Sequence, residues 1–89
     1  MKVYFLFKPC KTDSVFEIIP QKEISRKLLI KAIQKEFNGK IVTDSGFLTI
    51  IDINEGKISV TKNNKIILRG IKEERAKEIA NRIMKYFFS

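Results

Sequence analysis

The chain has 89 residues, enough for one domain built around one core. Its 44% hydrophobic and 31% charged residues are those of a globular protein and exclude a disordered one. No apolar run approaches the roughly 18–20 residues of a membrane-spanning helix, so no such helix is expected, while a net charge of +8 favours an anionic partner such as nucleic acid.

That charge has a second reading, since Lys on solvated faces keeps a small protein soluble without any nucleic acid. Cys10 is the single cysteine and cannot close an internal disulfide, which points to a reducing cytoplasm. Between Pro9 and Lys11 it reads as a half-buried loop residue. The apolar run at residues 3–7 is short and lacks a small-residue cleavage site, so no signal peptide is expected.

Residues 3–7 read as a first strand, ended by Pro9, which cannot donate to a ladder. The strand is apolar on both sides, Val3, Phe5 and Phe7 against Tyr4 and Leu6, which predicts a central place in a sheet. Thr12, Asp13 and Ser14 supply a turn, and residues 15–19 form a second short strand or an extended approach to a helix. Pro20 fits the first turn of that helix with Glu23 complementing its dipole, and Ser25 is a rival start. Ile24, Leu28, Leu29, Ala32, Ile33 and Phe37 mark its buried side, and Asn38-Gly39 closes it with a left-handed residue.

Residues 40–43 and 47–53 then read as strands around Asp44-Ser45-Gly46. A two-residue Glu55-Gly56 loop puts Phe47, Thr49, Ile51 and Ile53 on the face of Ile58 and Val60. A one-residue slip would bury Asp52 instead, so the first register is preferred. For the strands at residues 57–61 and 65–69, a two-residue Asn63-Asn64 loop would set Ile58 opposite Arg69. A three-residue loop with a left-handed Asn64 pairs Val60 with Ile66 and Ile58 with Leu68. It leaves Ser59, Thr61, Lys65, Ile67 and Arg69 on the other face, and is preferred for that consistency. After Gly70 the period changes, and Ala76, Ile79, Ala80, Ile83 and Phe87 form the stripe of a helix that opens at Glu73 and closes near Lys85. Glu73–Lys77 and Glu78–Arg82 are i,i+4 pairs. Tyr86 and Phe88 can cap the core or meet a second chain.

The expected fold is a single α+β domain over residues 1–89, with a mostly antiparallel curved sheet and two helices on one face. Its order is β(β)αββββα. The other sheet face, with Ser59, Thr61, Ile67 and some of Leu48 or Ile50, is left to solvent or a partner.

That order resembles one repeat of the TATA-box-binding protein. The run from Ile58 through Lys65 to Gly70 is similar to the family's hairpin of β-forming residues, small turn, Lys, three apolar residues and Gly. The acidic, Ala-rich helix follows at the family's offset, and Phe37-Asn38-Gly39-Lys40 with Gly46-Phe47 resembles its entry into the first curved strand. The resemblance implies DNA binding through the sheet face that the helices leave bare, with aromatic wedges in the minor groove. By position Phe47 matches one wedge, whereas Thr61 stands where the family has its second Phe. The family uses two repeats and this chain has one, so a dimer or an accessory binding role is implied. Such single repeats also resemble a substrate-binding domain attached to certain ribonucleases H.

Catalytic chemistry is not evident. With no His there is no Ser-His or Cys-His pair and no ordinary zinc site, so no metal or cofactor is expected. Asp13, Asp44, Asp52 and Glu55 read as turn or solvent residues rather than an acid–base pair. Two basic groups remain. Lys27, Lys31 and Lys35 form a one-sign ridge on the first helix. Lys62, Lys65 and Arg69, with Thr61, line the bare sheet face as candidate phosphate contacts, helped by Lys27 and Lys31. The sequence therefore predicts a non-enzymatic cytoplasmic domain that grips nucleic acid with little sequence preference. The alternative is a protein-interaction or homodimerisation module, with Ile67 and Phe47 at the interface.

Overall fold

The computed structural model describes residues 5–9, 15–21 and 23–87. Val3, Tyr4, Cys10, the turn of Thr12, Asp13 and Ser14, and Phe88 lie outside the described residues. The elements in chain order are β1 (Phe5–Pro9), β2 (Val15–Pro20), α1 (Arg26–Phe37), β3 (Lys40–Asp44), β4 (Leu48–Ile53), β5 (Gly56–Thr61), β6 (Ile66–Arg69) and α2 (Glu73–Lys85). Six antiparallel strands make one open sheet in the order β1-β2-β6-β5-β4-β3. The protein is an α+β domain.

Alternation along the strands sorts their side chains. Phe16 and Ile18 of β2, Ile51 and Ile53 of β4, Ile58 and Val60 of β5, and Ile66 and Leu68 of β6 are buried together. They meet Leu29 and Ile33 of α1 and Ala76, Ile79, Ala80, Ile83 and Met84 of α2, so both helices cover the same face. Burial of that branched apolar surface drives the assembly.

The last hairpin has the register that its chemistry requires. Asn64 is left-handed at φ 62°, and Ile58 pairs with Leu68 and Val60 with Ile66. The Asn64 amide also donates to the Ile24 carbonyl, which ties this turn to the entry of α1. In the preceding hairpin Ile53 pairs with Gly56, so the loop is Asn54-Glu55 rather than Glu55-Gly56. The two-residue shift preserves the pleat, and Thr49, Ile51 and Ile53 still face the core with Asp52 outside. A side chain at Gly56 would strike the Arg69 carbonyl and sit 2.9 Å from Ile71 Cγ1, which explains why the strand opens on glycine.

Four expectations are corrected. β1 is an edge strand, not a central one, and it runs on to Pro9, whose missing N–H costs nothing at an edge. Its inward rings are covered from one side, with Phe7 stacked on Phe16 at 5.3 Å between centroids. The helix starts after Ser25, because β2 continues to Pro20 in a ladder with Phe5. Leu28 is 57% exposed and lies outside the core stripe. Phe47 is 72% exposed in the bend before β4, not in the core.

A chain of polar contacts runs along the helix layer. Arg75 donates to both carboxylate oxygens of Glu55, at 2.5 and 2.7 Å, and also pairs with Glu78 at 2.7 Å. Glu78 pairs with Arg82 at 3.1 Å as its spacing predicts, Arg82 reaches Glu36 at 3.8 Å, and the Tyr86 hydroxyl donates to Glu36 at 2.8 Å. Lys77 lies 5.9 Å from the Phe7 ring centroid instead of pairing with Glu73. The hydrogen bond from Arg75 holds the Glu55 carboxyl below its ordinary value of 4.5. The bond to Glu36 pushes the Tyr86 phenol up.

Two outcomes follow. Asn64→Ala, which keeps neither the amide nor an easy left-handed backbone, is less stable than Asn64→Gly by about 1 kcal/mol in urea unfolding. Glu55→Gln lowers stability at neutral pH by at most about 1 kcal/mol, because the pair is exposed and screened. A depressed carboxyl contributes stability above the ordinary carboxylate range and loses it as pH falls through the lowered value. Unfolding midpoints of wild type and Glu55→Gln therefore converge below that range.

Candidate nucleic-acid interface

The sheet face opposite the helices is uncovered among the described residues. Strand register lays its side chains out in rows. One row runs Lys8, Glu17, Ile67, Ser59, Ile50 and Thr43 from β1 to β3. The next runs Val15, Arg69, Lys57, Asp52 and Lys40. On the other side of the first row, Leu6 pairs with Ile19 and Thr61 with Leu48. Six strands at about 4.8 Å spacing make this a floor roughly 24 Å wide.

The floor is apolar at its middle and cationic around it. Ile19, Leu48, Ile50 and Ile67 are half-buried by their neighbours, and Ser59 is only 4% exposed between Ile67 and Ile50. Lys8, Lys40, Lys57, Lys65 and Arg69 stand on this face against Glu17 and Asp52. Lys65 leans to Glu17 at 3.5 Å, the one ion pair on this face among the described residues. With both partners partly in solvent, that pair leaves the ammonium open to exchange for another anion.

Of the residues singled out from sequence, Thr61, Lys65, Ile67 and Arg69 share this face. Lys62 lies beside it in the β5–β6 turn, where its ammonium is 5.6 Å from the centroid of the Phe47 ring and its N–H donates to the Phe47 carbonyl at 3.0 Å. Phe47 thus stands at the end of the sheet with a cation over it. Lys27 and Lys31 are exposed on the outward side of α1, the layer opposite the bare face. One ligand lying on the sheet does not reach them. Lys8, Lys40 and Lys57 were missed by sequence reasoning. The alternation that assigns Ile58 to the core would have placed Lys57 on this face.

The end of the sheet is held by α1. Arg26 donates to the carbonyls of Gly46 and Ser45, each at 3.2 Å, and to Thr49 Oγ1 at 2.7 Å. The buried Thr49 hydroxyl donates in turn to Asp44 Oδ1 at 2.9 Å. Asp44 is the last residue of β3, paired with Thr49, rather than part of the turn, Glu55 is held by Arg75, and Asp52 lies between Lys40 and Lys57 in the ladder. Among the described residues no group of His, Cys, Asp and Glu could hold a metal ion, and no helix is long and apolar enough to cross a membrane.

No protein-family model, curated protein or solved structure matches the chain.

Since the Phe47 ring stands in solvent with only the Lys62 ammonium over it, Phe47→Ala changes unfolding free energy by no more than about 1 kcal/mol in urea titration. A loss of several kcal/mol, the signature of a core aromatic, would contradict its placement in solvent.

Proposed function

We propose that this is a non-enzymatic domain that binds nucleic acid with little sequence preference through its uncovered sheet face, as a single TATA-box-binding-protein-like repeat. The carrying observation is the cationic surround of that face: Lys8, Lys40, Lys57, Lys65 and Arg69 about a floor of Leu48, Ile50, Ile67 and Thr61. The order of β2, α1, the four-strand meander β3–β6 and α2 supports the family resemblance, with β1 as an addition at one edge.

Cations at the rim neutralise phosphates, and the methyl-bearing floor takes sugar and base edges. Ser59 and Thr61 are the neutral hydrogen-bonding side chains in the middle of the floor, too few to read a base sequence. Phe47 with Lys62 adds an aromatic and a cation at one end. Lys27 and Lys31 take no part in this reading. Cys10 as the single cysteine favours a reducing compartment such as the cytoplasm.

Pairing of the same face with a second copy is the competing reading, favoured by the apolar side chains of two adjoining rows, Ile50 and Ile67 in one and Leu6, Ile19 and Leu48 in the next. It would bring two net-positive surfaces together, a cost that a polyanion removes.

Fluorescence anisotropy with a labelled duplex decides between them. Three to five phosphate contacts give a slope of log K against log salt of about −2.7 to −4.5. Lys65→Glu with Arg69→Glu then weakens binding by about tenfold or more. Equal affinity at low and moderate salt overturns the proposal. A light-scattering mass of two chains that Ile67→Asp reduces to one, without duplex binding, would establish the self-pairing reading instead.

A further inference from the structure

Between α1 and the end of α2 lies a shallow groove, floored by Leu28, Ala32, Tyr86 and Phe87 and edged by Lys31 and Lys35. It belongs to the helix layer, away from the sheet face. Leu28 is 57% exposed and Tyr86 45%, so the floor presents apolar surface to solvent at two adjoining positions. Scattered single apolar residues are ordinary, but two large ones across a furrow are an apolar patch.

The charged side chains that line the groove itself, Lys31 and Lys35, are of one sign. Lys27, Lys31 and Lys35 follow one another at i,i+4 spacing on α1, where like charges repel. Among the described residues none of the three has a carboxylate within pairing distance. Glu36 reaches the Tyr86 end of the floor, where it accepts from the Tyr86 hydroxyl and is offset by Arg82. On α2, by contrast, Arg75 and Arg82 are both paired with acids. The ridge is therefore uncompensated charge beside uncovered apolar surface.

We propose that this groove docks an acidic amphipathic helix of a partner protein. The partner's apolar stripe would lie on Leu28 and Tyr86, and its carboxylates would meet Lys31 and Lys35, with Lys27 extending the same rim. A helix is the occupant that offers an apolar stripe and a charged border at one spacing. Nucleic acid offers no such stripe. A second copy of this chain is a poor fit, because α2 has its stripe in the core and α1 is itself basic. The proposal does not rest on nucleic-acid binding by the sheet.

The test uses the full chain and a fluorescein-labelled synthetic peptide of about 16 residues, Leu at i, i+3, i+4 and i+7 with Glu elsewhere, read by anisotropy. A scrambled peptide of the same composition, lacking the stripe, is the control. The expected Kd is about 10–100 µM, weakened about tenfold or more by Leu28→Asp and again by Lys31→Glu with Lys35→Glu. Leu28 is exposed, so its replacement leaves the fold intact, and the double Lys variant reads the rim separately. Arg69→Glu, on the opposite layer, leaves peptide binding unchanged while it weakens duplex binding. The idea is overturned if the striped peptide fails to bind, if the scrambled one binds equally, or if Leu28→Asp has no effect. It is equally overturned if anionic vesicles or duplex DNA, and not the peptide, lose affinity on Leu28→Asp.

Discussion

The left-handed backbone at Asn64 sets which side of the sheet each residue of β6 occupies. With one residue fewer in that turn, Arg69 would face Ile58 in the core, and Ile66 and Leu68 would point away from it. With Asn64 at φ 62°, the apolar pair of β6 meets Ile58 and Val60, and Lys65, Ile67 and Arg69 go to the bare face. β2 copies this parity through its ladder with β6, and β4 copies it through β5. A single turn thus sets the parity of β2, β4, β5 and β6, one side for the core and one for solvent.

Polar contacts then fix the layers in place rather than supply the bulk of the stability. Arg26 ties α1 to the bend before β4, and Asn64 ties the last hairpin to the entry of α1. The series from Glu55 through Arg75, Glu78, Arg82 and Glu36 to Tyr86 joins a sheet turn to both helices. Exposed ion pairs of this kind are each weak. Their larger consequence is a division of charge. Glu36 and Glu78 are taken up by Arg75 and Arg82, so none of these acids offsets the lysines of α1 or the cations of the sheet.

Much of this was legible in the residues because alternation and amphipathic spacing report burial directly. The pairing of Val60 with Ile66, the stripe of α2 and the shared face of Thr61, Lys65, Ile67 and Arg69 all follow from that rule. The β4–β5 loop shows its limit: period two fixes parity, so Asp52 was kept outside, while a two-residue shift leaves no trace in the pattern. β1 was misplaced because a strand apolar on both sides also suits an edge whose inward rings find Phe16 and Lys77. Leu28 and Phe47 were misplaced because hydrophobicity gives an element its stripe but does not say where the neighbouring element ends. The two lysine groups could not be joined by spacing alone, since it takes the packing of α1 on the sheet to put them on opposite layers.

The outer border of the sheet at β3 carries one more consequence. Val42 is the extra residue in its ladder with β4, between the pairs Ile41–Ile51 and Thr43–Ile50, and the whole strand is exposed. A bulged border breaks the even spacing that a neighbouring chain would need for zipping on, strand by strand. The irregularity therefore works against strand addition along this rim despite its valine and isoleucine.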